Sequence, residues 1–200
     1  MEPCGHGSVD AYSRSSECDP EGQPASPVGA IARNGFRAPN RLVDVISAAH
    51  RHREEILKLK LAVKAGEAWV KERDTVGMMI RRWDHFGSWK LQVLSALLVD
   101  AMEQLEEWKE QSTKEQDDFL RDWQNLLDHL VELDVVDAPN IKRLVDGRAL
   151  SKALGIKPGV WTGKALDVCM GWQLRNPNET DIAGAVEEVR KKKDELGIPI

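Results

Sequence analysis

Lys157, Pro158, Gly159 and Lys164 are the residues whose types and spacing come closest to a binding chemistry. They lie where a short helix ending at Gly155 gives way to a longer one beginning near Trp161. Pro158 has no backbone donor, and Gly159 turns the chain easily, so the second helix is expected to begin with free N–H groups. A helix start of this kind, flanked by two lysines, suits a phosphate oxygen. A plain glycine-bounded corner has the same spacing, and spacing alone leaves both open. Asp146 is placed to cap the first helix and Gly155 to end it in the left-handed conformation. Asn176-Pro177 ends the second, because the residue before proline is pushed out of helix. Between these stops Trp161, Ala165, Val168, Cys169 and Trp172 follow the helical period.

Other reactive residue types do not converge. Cys4 and His6 offer two metal ligands without partners, and His50 and His52, two apart on a helix, point to different sides. Cys169 falls on an apolar helix face and reads as a core residue. No Ser/His/Asp or Cys/His arrangement and no metal site is expected, and no catalytic residue is assigned.

Composition bounds the answer further. The chain has 200 residues, a net charge of -5, 30% charged residues and 6% aromatic ones, which fits one ordinary domain or a pair of small helical ones. Seven Trp against one Tyr and three Phe suggest tryptophans used as core anchors. Three cysteines without a pairing motif fit a reducing compartment, and no apolar run reaches membrane-spanning length. Residues 101–140 hold 12 acidic against 3 basic residues, whereas residues 141–200 hold 11 basic against 8 acidic ones. A polyanion would therefore meet the second stretch and avoid the first.

The elements that must position these residues read as helices throughout, with no strand pattern. Residues 1–34, rich in Ser, Gly and Pro and carrying five acidic residues, are expected to be a disordered leader that is neither a signal nor a transit peptide. A helix capped by Asn40 runs to about Ala65, and a second from Asp74 or Thr75 to Asp84 carries Arg81 and Arg82. Ser88 caps a third, to about Lys109, apolar enough to be central and packed on several sides. After a linker at residues 111–115, Thr113 and Gln116 form a capping box for a fourth helix to about Leu133. Beyond the hairpin, Thr180 or Asp181 caps a last helix through Leu196. The fold class is all-α, a bundle of about six helices, divided into the leader 1–34, a body-like region 35–110 and a tail domain 111–200.

Gly147, Leu150, Leu154-Gly155-Ile156-Lys157-Pro158-Gly159, Trp161, Gly163, Ala165-Leu166 and Trp172 to Pro177 together resemble the C-terminal tail of class II CCA-adding tRNA nucleotidyltransferases in their fungal form. Residues 34–99, notably APNRLVDVISAAHR and RDTVGMMIRRWDHFGSWKLQVLSALLVD, resemble the body of that family, so that the likeness spans about four-fifths of the chain.

The resemblance implies a tail that holds the elbow of tRNA while a head domain adds C, C and A to its 3′ end. It implies RNA contacts at Lys157, Gly159, Lys164 and Arg175, with Arg81 and Arg82 as further phosphate contacts in the body. The alternative for Arg81 and Arg82 is salt bridging to Asp74 and Asp84. The family's chemistry uses Mg2+ with CTP and ATP, held by paired carboxylates and a Gly/Ser loop on a sheet. No Asp-x-Asp pair is present here, Asp117-Asp118 is adjacent rather than alternating, and Gly7-Ser8 and Gly87-Ser88 lack a strand. The chain is therefore expected to carry no cofactor, to be inactive alone, and to correspond to a body and tail without head and neck, from a truncated gene model or a split gene. Its expected partners are tRNA and a separately encoded catalytic head, with no membrane and no DNA. Its expected place is intracellular, in nucleus, cytosol or mitochondrion. The rival expectation is a helical protein-interaction module, or a remnant without activity.

Overall fold

The structure is a computed structural model that describes residues 26–108 and 113–199. Cys4, His6 and residues 1–25 of the expected leader lie outside the described residues, as do residues 111–112 of the expected linker. Among the described residues nine α-helices follow one another: α1 (Pro27–Phe36), α2 (Asn40–Ala65), α3 (Arg73–Asp84), α4 (Trp89–Trp108), α5 (Thr113–Glu132), α6 (Gly147–Leu154), α7 (Trp161–Arg175), α8 (Ala183–Lys191) and α9 (Lys193–Leu196). Short 3-10 turns at Ala68–Lys71 and Ala138–Asn140 complete the path, and there is no strand among the described residues. No described helix is long and apolar enough to cross a membrane.

Helix α1 corrects the expectation of disorder through residue 34. Pro27 presets the first turn, and Gly29 and Ala32 are buried against α2. A Cβ on Gly29 would lie 2.3 Å from Ser47 Oγ, so a side chain there would force the Ser47 hydroxyl to turn away. Small residues carry little periodic hydrophobic signal, and the helix is secured by its contact with α2. Asn40 is the first residue of α2 rather than its cap, which is Pro39. The expected last helix is two, broken at Lys192, where φ -99° and ψ 16° interrupt the helical path.

Two apolar cores form. The larger gathers Ile56 and Leu59 from α2, Ile80 and Trp83 from α3, Val93 and Ala96 from α4, and Phe119, Trp123, Leu126 and Leu130 from α5. The linker-based division puts α5 with the tail; its buried face belongs with α2–α4. The smaller core gathers Leu150, Trp161, Ala165, Cys169, Val186 and Val189 from α6–α8. Helix α7 joins them, because its Met170 and Leu174 face the larger core.

Buried polar ties align the larger core. His52 Nδ1 lies 2.7 Å from Gln92 Oε1, and Gln92 Nε2 donates to the carbonyls of Trp83 and Gly87. The amide oxygen must accept, so His52 carries its proton on Nδ1. Lys60 Nζ pairs with Asp100 Oδ2 at 2.5 Å and sits 4.7 Å from the Trp123 ring centroid, while Trp123 Nε1 donates to the same carboxylate oxygen. Both ties join residues 40 apart, so α2 and α4 run in the same sense.

Helix α4 also departs from expectation. Trp89, Val93 and Ala96 are buried, but Leu91, Leu94, Leu98, Met102 and Leu105, on the opposite side, are 49–67% exposed. The helix has two apolar faces, and the described residues cover one.

Candidate nucleic-acid interface

The hairpin between α6 and α7 is set by local rules. Asp146 Oδ1 accepts from the N–H groups of Arg148 and Ala149 at 2.9 and 2.7 Å. Gly155 ends α6 at φ 73°, where a side chain would be strained. Trp161 then turns into the smaller core, and a Cβ on Gly159 would lie 3.0 Å from its indole.

The hairpin presents charge outward. Lys157, Gly159 and Lys164 are exposed, as is Val160 at the tip. Among the described residues neither lysine has an ion pair or hydrogen bond. One part of the expected anion cradle is already occupied: Gly159 N–H donates to Thr162 Oγ1 at 2.9 Å, and Thr162 N–H donates back to the Gly159 carbonyl. What the hairpin offers an anion is therefore mainly its lysines.

The three arginines are held differently. Arg175 lies between Asp74 Oδ2 at 2.5 Å and Glu188 Oε1 at 3.0 Å, tying α7 to α3 and α8. Arg82 pairs with Glu55, the carboxylate that also accepts from Trp83 Nε1. Neither Arg82 nor Arg81 takes the Asp74 or Asp84 partner that the salt-bridge alternative names for them. Arg81 reaches across to the chain before α6, where its Nη1 donates to the carbonyls of Ala138 and Ile141. Burial and the nearby Arg143 hold its guanidinium below the ordinary arginine value, against a smaller upward pull from Asp167.

Two residues that the sequence did not single out, His85 and Arg143, stand with Arg81 and Arg82 around one cavity. Arg143 comes from the loop before α6, remote in the chain from α3, and no local spacing could have announced it. Arg73, at the start of α3, is held by structure: it donates to the carbonyls of Leu133, Asp134 and Leu174 and to the Asp134 carboxylate, fastening the ends of α5 and α7 to α3. Cys169 is buried, its thiol pushed up to about 11 by desolvation, so it stays protonated at neutral pH and is a poor nucleophile. Among the described residues no three of His, Cys, Asp and Glu gather as metal ligands.

Known proteins add a chemical context. A nucleotidyltransferase of Purpureocillium lilacinum is 55% identical over 204 residues, covering 87% of this chain. The mitochondrial CCA tRNA nucleotidyltransferase of Saccharomyces cerevisiae is 24% identical over 55% of the chain, and a tRNA nucleotidyltransferase of Schizosaccharomyces pombe is 25% identical over 59% of it. The chain spans about a third of the first relative's length and about a fifth of the other two. No family model matches the chain, and no solved structure does.

Proposed function

We propose that this chain is the tRNA-anchoring portion of a CCA-type nucleotidyltransferase. Two observations carry the reading: the chain's similarity to enzymes named as tRNA nucleotidyltransferases, and an α6–α7 hairpin that presents two lysines unpaired among the described residues. Phosphates of a folded RNA would meet Lys157 and Lys164 first, beside the backbone at Gly159. Arg81 and Arg82 follow. Arg175 comes last, since a phosphate there must displace Asp74 and Glu188. The contacts are to backbone and shape, so binding should weaken steeply with salt and depend little on sequence. The body-like region and the tail act together as one support, and catalysis with Mg2+, CTP and ATP belongs to a head domain.

The test is tRNA binding by the full chain, titrated against salt, with a linear RNA of equal length as control. Preference for folded tRNA is expected, with affinity falling about tenfold in a Lys157→Glu/Lys164→Glu variant whose helicity is unchanged. Equal binding of both RNAs, or indifference to the two substitutions, sinks the reading.

The exposed stripe on α4 favours a second reading, a helical module that docks another polypeptide, such as a separately encoded head. Self-association of the isolated chain, abolished by Leu94→Glu with Leu98→Glu, is the outcome it requires. A monodisperse monomer at high concentration counts against it.

A further inference from the structure

The end of α3 and the loop leading to α6 enclose a cavity of about 650 Å³. Arg81, Arg82, His85 and Arg143 line it, with Asp84 and Asp167 as the only carboxylates among its lining residues. Its lining carries three arginines against two carboxylates. Arg82 is paired with Glu55, and Arg143 with Asp167 at 3.3 Å. Asp84 accepts the Trp89 N–H at the start of α4. Arg81 has no carboxylate partner, only carbonyl oxygens on Nη1. Its Nε and Nη2 have no hydrogen-bond partner among the described residues, and neither is a buried atom, so both meet solvent.

This is an unusual state for a guanidinium. Carbonyl dipoles fix its position but leave its full charge, and a second guanidinium stands close enough to oppose it. A tethered arginine with two free donor atoms is preorganised for an oxyanion, because less side-chain entropy is lost when the anion arrives. A carboxylate could also pair here, but the cavity presents several cations from two chain segments, which suits a group with three or four acceptor oxygens better than one with two. The wall adds Phe86, whose ring carries the Arg51 guanidinium at 5.4 Å from its centroid. The space is larger than a lone phosphate needs and has an aromatic side for whatever the phosphate is attached to.

We propose that this cavity binds a phosphate group, with Arg81 and Arg143 as its principal donors and Arg82 and His85 at its edge. The group is either a phosphodiester of a bound RNA, in which case the site rests on the tRNA-anchoring reading and extends it, or a free phosphate or nucleotide, in which case it stands alone.

The experiment has two arms on the same protein. In the first, inorganic phosphate is titrated into the full chain at constant ionic strength, and backbone amide NMR shifts are followed. In the second, tRNA affinity is compared between wild type and Arg143→Gln, an exposed position whose change spares the core, with Arg81→Lys as a second variant that keeps the charge and loses the fork. Shifts centred on residues 78–86 and 139–143, lost in Arg143→Gln, establish a free-phosphate site. A tRNA affinity lowered about fivefold or more in both variants, without shifts from inorganic phosphate, establishes an RNA contact. Shifts at the cavity with no tRNA binding by the wild type keep the site and remove the tRNA reading. No shifts there, together with unchanged tRNA affinity in both variants or no tRNA binding at all, overturn the proposal.

Discussion

The two cores are built on different principles. The larger is aligned by polar groups inside it. Lys60, Asp100 and Trp123 share one bonded cluster, and His52 and Gln92 another, so its helices have one register in which these buried groups are paired. The smaller has a single fully inward tryptophan, Trp161, and relies on local devices: the Asp146 cap, the left-handed Gly155, and the close contact of Gly184 with Trp172. The consequence for binding is direct. Cations inside the larger core are consumed by structure, at Lys60 and Arg73, whereas Lys157 and Lys164 on the smaller one remain unpaired among the described residues. A rigid support and a small cationic tip is an arrangement suited to holding a polyanion without a deep pocket.

The comparison can be broken most forcefully at Asp100. Asp100→Ala strands the Lys60 ammonium and the Trp123 N–H together, and should cost about 3–5 kcal/mol in chemical denaturation, unfolding α2, α4 and α5 together. A loss under about 1 kcal/mol would mean that the polar tie does not align the larger core. Next comes the seam. Leu174 is fully buried where α7 meets α3, 3.1 Å from a Cβ placed on Gly77. Leu174→Ala should cost about 2–5 kcal/mol and split unfolding into two transitions; one cooperative transition would show that the cores do not depend on this contact for their joint folding.

Cys169 sharpens the contrast through pH. Its folded-state pKa lies at about 11 against an ordinary 9.0, so above pH 9 the unfolded chain releases a proton that the folded chain keeps. Stability is unaffected below pH 9 and falls as pH rises from 9 toward 11, by on the order of 2 kcal/mol. Thermal melts at pH 8 and 10.5 should show this drop shrinking in Cys169→Ala; an equal drop in both proteins assigns it elsewhere. The smallest effect belongs to the hairpin cap. Asp146→Ala should cost about 1 kcal/mol, read as faster amide exchange in α6 with α2–α4 unchanged.

Much of this architecture was legible in the chain because its determinants are local. The α6 cap, the glycine stops at Gly66 and Gly155, and the α7 boundary at Asn176 need only residues within one turn of each other, and they lie where their spacing puts them. The exposed hairpin lysines were legible too, since nothing apolar at their helical positions draws them inward. Asn40 failed as a cap because the carbonyl of Pro39 already accepts the first helical N–H groups, those of Leu42 and Val43.

The order of residues along the chain is enough for the helical character, most of the helix ends, and the change from an acidic middle to a basic end. Tertiary structure decided the rest: that α1 forms against Ser47, that α5 completes the larger core, that one face of α4 is left uncovered by the described residues, and that Arg175 and Arg82 are paired while Arg81 is not. Caps and turns are settled by neighbours in the chain. Ion pairs and cavities are settled by which helices meet, and Arg143 reaches Arg81 only once α3 and the loop before α6 have packed together.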